Sequence, residues 1–278
     1  MGRASRKSAN LKSVHLKSVL LLALLALVGC GPANDPSLAR VQEAGVLRVG
    51  LDPSWPPFEY VDPASGQVAG LDVDLARAIG RELGVEVAFV VRGWEGLYGA
   101  LGDGQFDAIL SALPYDPWRT KEALYSISYF NAGPVLVARG ELGGALGPDL
   151  ESGQQARALA GYTVHVEFGA ESDVQARRLA DKGAQIEIVT HETAAAALDA
   201  LASAHSDAEA AIVDAVSARL YLREPAGQGL WIAGEPLYDE LYVIAVHPDA
   251  ASLQAALDQA LIDLRESGEL DALLDRWL

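Results

Sequence analysis

Cysteine and basic residues are the two scarce components of this sequence. It has one cysteine in 278 residues, which excludes a scaffold held together by internal disulfides. Lysine and arginine number 21 against 38 aspartates and glutamates, giving a formal net charge of −17. A surface this acidic repels phosphate backbones, so we expect no nucleic-acid partner. Apolar residues make up 50% of the chain, and its length predicts roughly two domains of ordinary globular type.

The first 30 residues differ from the rest in charge and in hydropathy. They contain five cations and no acid, so the remainder carries a formal charge of −22. Their apolar run, 19–28, is far shorter than the about 20 residues of a transmembrane helix, and it fits the core of a signal peptide. The run ends in Leu-Val-Gly-Cys at 27–30, which resembles the lipobox of bacterial lipoproteins, whose cysteine carries a lipid.

These features predict how the mature chain is held in the cell. We expect a lipoprotein signal peptide over 1–29, lipid attachment at Cys30 and a tether over 30–37. The mature protein then lies outside the cytoplasm, anchored to the cell membrane. An ordinary secretory signal followed by an incidental cysteine is the alternative.

From Ser37 onward, short β-branched runs alternate with amphipathic helical patterns. Strands are predicted at 47–51, 85–91 and 106–110, among others, and a helix over 73–83 is predicted to be capped by Asp72 and to end at Gly84. Alternation of this kind predicts an α/β fold with mainly parallel sheets covered by helices.

Several ordered motifs make the mature chain recognisable. The first strand leads into the aromatic, proline-rich loop Asp-Pro-Ser-Trp-Pro-Pro-Phe-Glu-Tyr at 52–60, and Gly-Leu-Asp-Val-Asp-Leu follows at 70–75. Further motifs lie at 94–101, 104–109, 117–119, 125–130, 161–164, 211–214 and 234–237. Together they resemble the bacterial extracellular solute-binding proteins of family 3, the polar amino acid receptors of ABC importers. The resemblance covers about residues 38–278.

The resemblance implies a two-lobe fold of the periplasmic-binding-protein type II. Lobe 1 is expected over 38–137 and 240–278, and lobe 2 over 138–239. The two crossing strands of the hinge are expected near 138–140 and 237–241. Such a protein is expected to be a monomer without a cofactor. It binds an amino acid or a related small zwitterion between its lobes and presents it to a permease.

Two charged residues are implied as the clamps for an amino acid. The family places an arginine at the position of Arg119, where a planar fork of donors matches a carboxylate. The alternative is a surface arginine paired with an acid. The family's aspartate at the position of Asp214 receives the α-amino group, and this residue can also cap the helix over 215–222.

Aromatic residues are implied as the walls of the site. Trp55 takes the position where the family covers the ligand side chain, and Phe58 and Trp94 take related positions. A place in the core is the alternative for Phe58 and Trp94. Asp52 either contacts the ligand or braces its loop.

The sequence departs from the family pattern at two further parts of the expected site. Along the strand end formed by Ser111, Ala112 and Leu113, proline replaces the serine or threonine usual at position 114. At 169–171 the family's Gly-Thr-Thr is replaced by Gly169, Ala170 and Glu171. The backbone amides there can still hold a carboxylate, but the hydroxyls are lost. Glu171 either caps its own helix or faces the cleft.

The acidic residues near the expected cleft favour a cationic ligand. They are Asp52, Glu59, Asp116, Glu171 and Asp214. No metal-ligand spacing and no nucleophile motif is present, so we expect no metal and no enzyme. Two alternatives remain. The first is a ligand sensor for a signalling receptor. The second is a cyclohexadienyl dehydratase-like enzyme on the same scaffold, with Glu171 as its acid.

Overall fold

The computed structural model describes residues 35–140, 159–203 and 208–278. The expected signal peptide, the lipid site at Cys30 and the tether as far as residue 34 lie outside the described residues. Ser37, placed at the end of the tether, already begins the first helix. In the part of the chain that the structure describes, no helix is long and apolar enough to cross a bilayer.

The described chain alternates short strands with helices, as the sequence pattern predicts. The strands are β1 Val46–Leu51, β2 Ser54–Trp55, β3 Glu59–Val61, β4 Val68–Ala69, β5 Glu86–Val91, β6 Ala108–Ile109, β7 Leu124–Tyr125, β8 Phe130–Asn131, β9 Pro134–Arg139, β10 Thr163–Glu167, β11 Glu187–His191, β12 Ala208–Asp214, β13 Leu230–Ala233, β14 Leu241–Tyr242 and β15 Ala245–Val246. The helices are α1 Ser37–Ala44, α2 Leu71–Leu83, α3 Leu97–Gly102, α4 Glu171–Asp181, α5 Ala194–Ala202, α6 Ala215–Leu222, α7 Ala251–Glu266 and α8 Glu269–Trp277.

Two five-stranded sheets organise the fold, and both are mixed. The first has the order β5-β1-β6-β15-β7, with β1 parallel to both neighbours and β15 antiparallel to both of its own. The second has the order β11-β10-β12-β9-β13, with β10 parallel to both neighbours and β9 antiparallel to both of its own. The expectation of mainly parallel sheets is therefore corrected. Strands joined through helices run parallel, whereas β9 and β15 enter directly from the segments that cross between the sheets.

The crossing itself is a pair of antiparallel strands. β8 pairs with β14, with Phe130 opposite Tyr242 and Asn131 opposite Leu241. The first crossing lies earlier than the predicted 138–140, because the apolar run of β9 belongs wholly to the second sheet. The second crossing, expected at 237–241, lies at Leu241–Tyr242.

Helix α2 shows how the aromatic loop is fixed to the first lobe. The helix ends as predicted at Gly84, whose φ of 70° lies in the left-handed region that glycine favours. Its start differs, because Gly70 and not Asp72 is the cap. A Cβ on Gly70 would lie 2.1 Å from the carbonyl oxygen of Phe58, so only glycine lets the loop approach the helix this closely. Leu71 and Asp72 then donate their amides to the carbonyls of Pro57 and Phe58.

Buried apolar side chains hold the helices against the sheets. On the first sheet, Leu47 and Val49 pack in one cluster with Leu75 and Ile79 of α2. A separate cluster joins α3 to the same sheet. On the second sheet, alternate residues of β10 and β12 pack against α4. Each sheet is thereby fixed by its helices, and its strand ends carry the loops described next.

Candidate functional site

A cavity of about 430 Å³ lies at the carboxyl ends of β1 and β6, beside the crossing strand β14. Both strands are parallel, so the loops that follow them meet at one edge of the sheet, the usual place for a ligand in such folds. The cavity is lined by Asp52, Ser54, Trp55, Glu59, Trp94, Ser111, Ala112, Pro114, Glu240 and Tyr242. Five of the residues predicted for the site therefore come together: Asp52, Trp55, Trp94, Ser111 and Ala112.

Asp52 lines the cavity and also braces the loop that carries Trp94. Its Oδ2 accepts a hydrogen bond of 2.8 Å from the Trp94 amide, and its own amide donates to Ser111 Oγ at 2.9 Å. The carboxylate therefore fixes one aromatic wall relative to the strand end. Asp52 therefore braces its loop, and among the described residues no hydrogen bond is made to its Oδ1.

The aromatic residues divide between wall and core. Trp55 and Trp94 are 58% and 44% exposed, so each presents a large face to the cavity. Phe58 is fully buried and does not line the cavity, so it takes the place in the core that was the alternative for this residue. Its ring packs edge-on against Tyr242, with 5.2 Å between centroids. Phe58 supports a wall residue, Tyr242, that sequence analysis did not identify.

One buried carboxyl group, Glu59, lines the cavity, and a second, Asp72, lies behind the lining. Glu59 is 1% exposed, and its Oε1 accepts from Ser111 Oγ at 2.8 Å. Burial and the negative charge of Asp72 raise the pKa of Glu59 well above its usual range. Burial likewise raises the pKa of Asp72, although hydrogen bonds from the Ala112 amide and the Tyr129 hydroxyl oppose the shift. In the described part of the chain, Oε2 of Glu59 and Oδ1 of Asp72 accept no hydrogen bond, so a proton held by Glu59 can serve both groups.

Asp72 also holds a strained part of the wall. Ala112 has a φ of +40°, a conformation that alanine seldom adopts. Its amide donates to Asp72 Oδ2 at 2.5 Å, and the Tyr129 hydroxyl donates to the same oxygen at 3.0 Å. The first aspartate of the Gly-Leu-Asp-Val-Asp motif thus helps to fix the cavity wall at Ala112.

The raised pKa values predict a pH dependence of stability. The folded chain keeps protons on Glu59 and Asp72 at pH values where the same carboxyl groups of the unfolded chain have already lost theirs. The free energy of unfolding therefore falls as the pH rises from about 5. We expect Glu59→Gln to lose less stability than the wild type between pH 6 and pH 9, because glutamine is neutral throughout. One retained proton corresponds to at most about 1.4 kcal/mol for each pH unit. Urea unfolding at both pH values measures the difference, and parallel profiles would contradict it.

Arg119 lies outside the cavity lining. It ends a 3₁₀ turn, Pro117–Arg119, and its guanidinium lies over the Tyr98 ring at 4.6 Å. Nη1 donates to Glu122 at 2.9 Å, and Nε lies 3.4 Å from Asp116. The surface ion pair named as the alternative is thus present. Within the described residues Nη2 makes no such contact and can still bind a carboxylate. Leu113 also lies off the lining, buried among apolar side chains.

The remaining predicted residues belong to the second sheet and do not line the cavity. Gly169 has a φ of 74° and donates its amide to Asp173 Oδ2 at 3.2 Å. Ala170 is the cap of α4, and it makes no side-chain capping bond. Glu171 begins that helix without capping it. Its Oε1 accepts from Gln175 at 2.5 Å and lies 3.6 Å from Arg178.

Asp214 combines a structural bond with a place near the crossing. Its Oδ1 accepts a hydrogen bond of 2.8 Å from the Ser217 amide. Asp214 therefore caps α6, a role that sequence analysis also allowed for it. Asp214 and Glu171 also act on Glu240 of the cavity. Burial, followed by the negative charges of Asp214 and Glu171, raises the pKa of Glu240. The acids of the second sheet therefore lie close to the cavity wall.

Sequence analysis did not assign Ser54, Glu59, Glu240 and Tyr242 to the site. Glu59 follows Phe58 in the aromatic loop and was noted only as part of the negative charge. Glu240 and Tyr242 flank the second crossing, and a predicted hinge is itself an indication that its side chains face the cleft. Among the described residues, no group of three or more acidic, histidine or cysteine side chains could hold a metal ion.

Comparisons with known proteins point to one family. Residues 47–278 match the family model of the bacterial extracellular solute-binding proteins, family 3. The lysine/arginine/ornithine-binding periplasmic protein of Escherichia coli is 30% identical over 263 residues, which cover 92% of this chain and 95% of that protein. The L-arginine-binding protein of Pseudomonas aeruginosa is 28% identical over 260 residues, covering 91% and 95%.

Solved structures show the same fold in a binding protein and in an enzyme. An ancestral cationic amino acid solute-binding protein superposes with a TM-score of 0.61 at 28% identity, covering 87% of this chain and 99% of that one. An ancestral cyclohexadienyl dehydratase superposes with a TM-score of 0.72 at 25% identity, covering 89% and 98%.

Proposed function

The chain belongs to the bacterial extracellular solute-binding proteins, family 3, and on this premise we propose that it binds an amino acid or a related small zwitterion and delivers it to an ABC importer. The observation that carries the proposal is the cavity at the strand ends, with its two tryptophans and its carboxyl groups. A volume of about 430 Å³ falls within the usual range for small-molecule sites. The curated relatives described above bind amino acids by name.

The residues outside the cavity have a role in this proposal through lobe closure. The two sheets are joined by the short strands β8 and β14, a connection that can act as a hinge. Closing would bring the second-sheet residues Gly169, Ala170, Glu171 and Asp214 over a ligand already lying against Trp55 and Trp94 of the first lobe, the lobe that also carries Arg119. Arg119 then receives the α-carboxylate and Asp214 the α-amino group. Exclusion of water strengthens both contacts.

Attachment to the membrane is a further part of the proposal. A lipid on Cys30 would keep the receptor, proposed to be a monomer, beside its permease after removal of 1–29. The proposal rests on the sequence of the N-terminal segment, with its basic start, short apolar run and Leu-Val-Gly-Cys ending. Mass spectrometry of the mature N-terminus tests it, since an unmodified cysteine there would contradict the anchor.

A screen of ligands tests the receptor function. The protein from Ser37 onward is unfolded, dialysed and refolded to remove carried ligand, then heated with each of the common amino acids, with diamines and with small carboxylates. A ligand at 100 times its dissociation constant adds about 2.7 kcal/mol of stability, which a thermal-shift assay resolves. We expect stabilisation by one or a few amino acids. No stabilisation by any of them would contradict the proposal.

The structural likeness to a cyclohexadienyl dehydratase makes an enzyme the second candidate. We propose a binding protein instead, because the carboxylate of Glu171, the acid that such a reaction would need here, is engaged by Gln175 and Arg178, and because the curated relatives that cover most of this chain are binding proteins by name. Incubating the purified protein with prephenate or arogenate tests this directly. Turnover would overturn the assignment as a non-enzyme.

A further inference from the structure

Glu240 is a cavity residue with a fixed backbone and a free carboxylate. Its amide donates to Asn131 Oδ1 at 3.1 Å, and its carbonyl accepts from the Ala132 amide at 2.8 Å, so the first crossing segment holds its backbone on both sides. Its side chain lines the cavity and is half-buried. Among the residues that the structure describes, no hydrogen-bond donor and no cation contacts its carboxylate. A fixed, partly buried and unpaired carboxylate at the hinge is unlike the surface acids of this chain.

The charges around Glu240 are all of one sign. Asp214 and Glu171, from the second sheet, lie near enough for their negative charges to raise its pKa. On the first-lobe side, the cavity wall adds the carboxylate of Asp52, whereas the buried Glu59 holds a proton and adds no charge. Among the described residues, no lysine, arginine or histidine lines the cavity, so this part of its wall supplies no counter-charge.

The lining of the cavity suits a positively charged ligand in a second way. Trp55, Trp94 and Tyr242 supply aromatic faces on the same cavity, and aromatic faces attract cations as well as apolar groups. Carboxylates with aromatic walls and no basic residue form an environment suited to a positively charged group.

We propose that Glu240 is the specificity-determining residue of the site, and that its carboxylate binds the positively charged side-chain group of a cationic amino acid. The proposal rests on the proposed function and adds the charge class of the ligand and the residue that selects it. Glu240 also couples the charge of the ligand to closure of the lobes. In the empty protein, Glu240 repels Asp214 and Glu171 and so opposes closure. A cation bound at Glu240 offsets the repulsion and favours the closed form, whereas a neutral ligand does not.

The test compares one cationic and one neutral amino acid on matched variants. Isothermal titration with L-arginine and with L-glutamine is carried out on the refolded wild type, on Glu240→Gln, on Glu240→Asp and on Glu95→Gln. Glu95 is an exposed acid on the same lobe, beside Trp94 and off the cavity lining, so its variant removes an equal charge without removing the contact. Thermal unfolding of the empty Glu240→Gln protein checks its fold. We expect a melting temperature at least equal to that of the wild type, because the variant removes repulsion.

The expected result is a change in preference. Glu240→Gln lowers the affinity for arginine by about tenfold to a hundredfold, the range of a charge-assisted hydrogen bond, and leaves the affinity for glutamine within about threefold. Glu240→Asp keeps much of the preference for arginine, and Glu95→Gln keeps all of it. An unchanged ratio of the two affinities in Glu240→Gln overturns the proposal. A wild type that binds glutamine but not arginine also overturns it while leaving the receptor function intact. Binding of no amino acid at all overturns both.

Discussion

Replacing Asp72 with alanine lowers the free energy of unfolding by about 2–5 kcal/mol, the loss expected when a buried hydrogen-bond acceptor is removed from two donors. The Ala112 amide and the Tyr129 hydroxyl both donate to Asp72 Oδ2, and both residues are buried. Without the carboxylate, neither donor has an acceptor or access to water. The positive φ of Ala112 also loses the bond that holds it.

Urea unfolding at pH 7 measures this effect, with Glu82→Ala as the control. Glu82 lies on the same helix α2, but it is exposed, so its removal should change stability by less than about 0.5 kcal/mol. A loss below about 1 kcal/mol for Asp72→Ala would mean that the buried network contributes little. Another interaction would then have to hold Ala112 of the cavity wall in its strained conformation.

Replacing Arg119 with alanine is expected to weaken amino acid binding by about thirtyfold or more, since truncating one partner of a bound charge pair costs about 2–5 kcal/mol. The expectation follows from the family membership and from the free Nη2 donors, because a planar guanidinium matches a carboxylate. The existing contacts of Arg119 with Glu122 and Asp116 are exposed. Exposed ion pairs contribute little to stability, so the melting temperature of the empty protein should stay nearly unchanged.

The contrast between binding and stability makes the Arg119 prediction specific. Arg81→Ala is the matched control, since Arg81 is another exposed arginine of the first lobe, paired with Glu269 and remote from the cavity. We expect it to bind the ligand as the wild type does. Equal titration curves for Arg119→Ala and the wild type would show that the carboxylate is held elsewhere.

Local features of the sequence predicted a large part of the fold and half of the cavity wall. The end of α2 at Gly84 follows from the left-handed conformation that glycine permits. Asp52 and Ser111 were predictable as neighbours because each follows a parallel strand, and parallel strands bring their carboxyl ends together. The exposed positions of Trp55 and Trp94 agree with their placement in loops.

What sequence analysis did not predict depends on contacts between distant parts of the chain. Glu240 and Tyr242 reach the cavity only because β14 pairs with β8, more than a hundred residues earlier. The local pattern predicts Asp72 as a helix cap, yet it lies inside the first turn of α2, and its side chain accepts hydrogen bonds from Ala112 and Tyr129 instead. Such partners are set by sheet order and register, which a local pattern does not contain.

A crystal structure of the protein grown with the amino acid that stabilises it most tests the receptor account most directly. The account predicts one ligand in the cavity of about 430 Å³, against Trp55 and Trp94, with Arg119 on its carboxylate. A second cavity of similar size, about 420 Å³, lies between α1 and the end of α3, and Arg40 and His247 are among its lining residues. Ligand bound there, with the first cavity empty, would contradict the account.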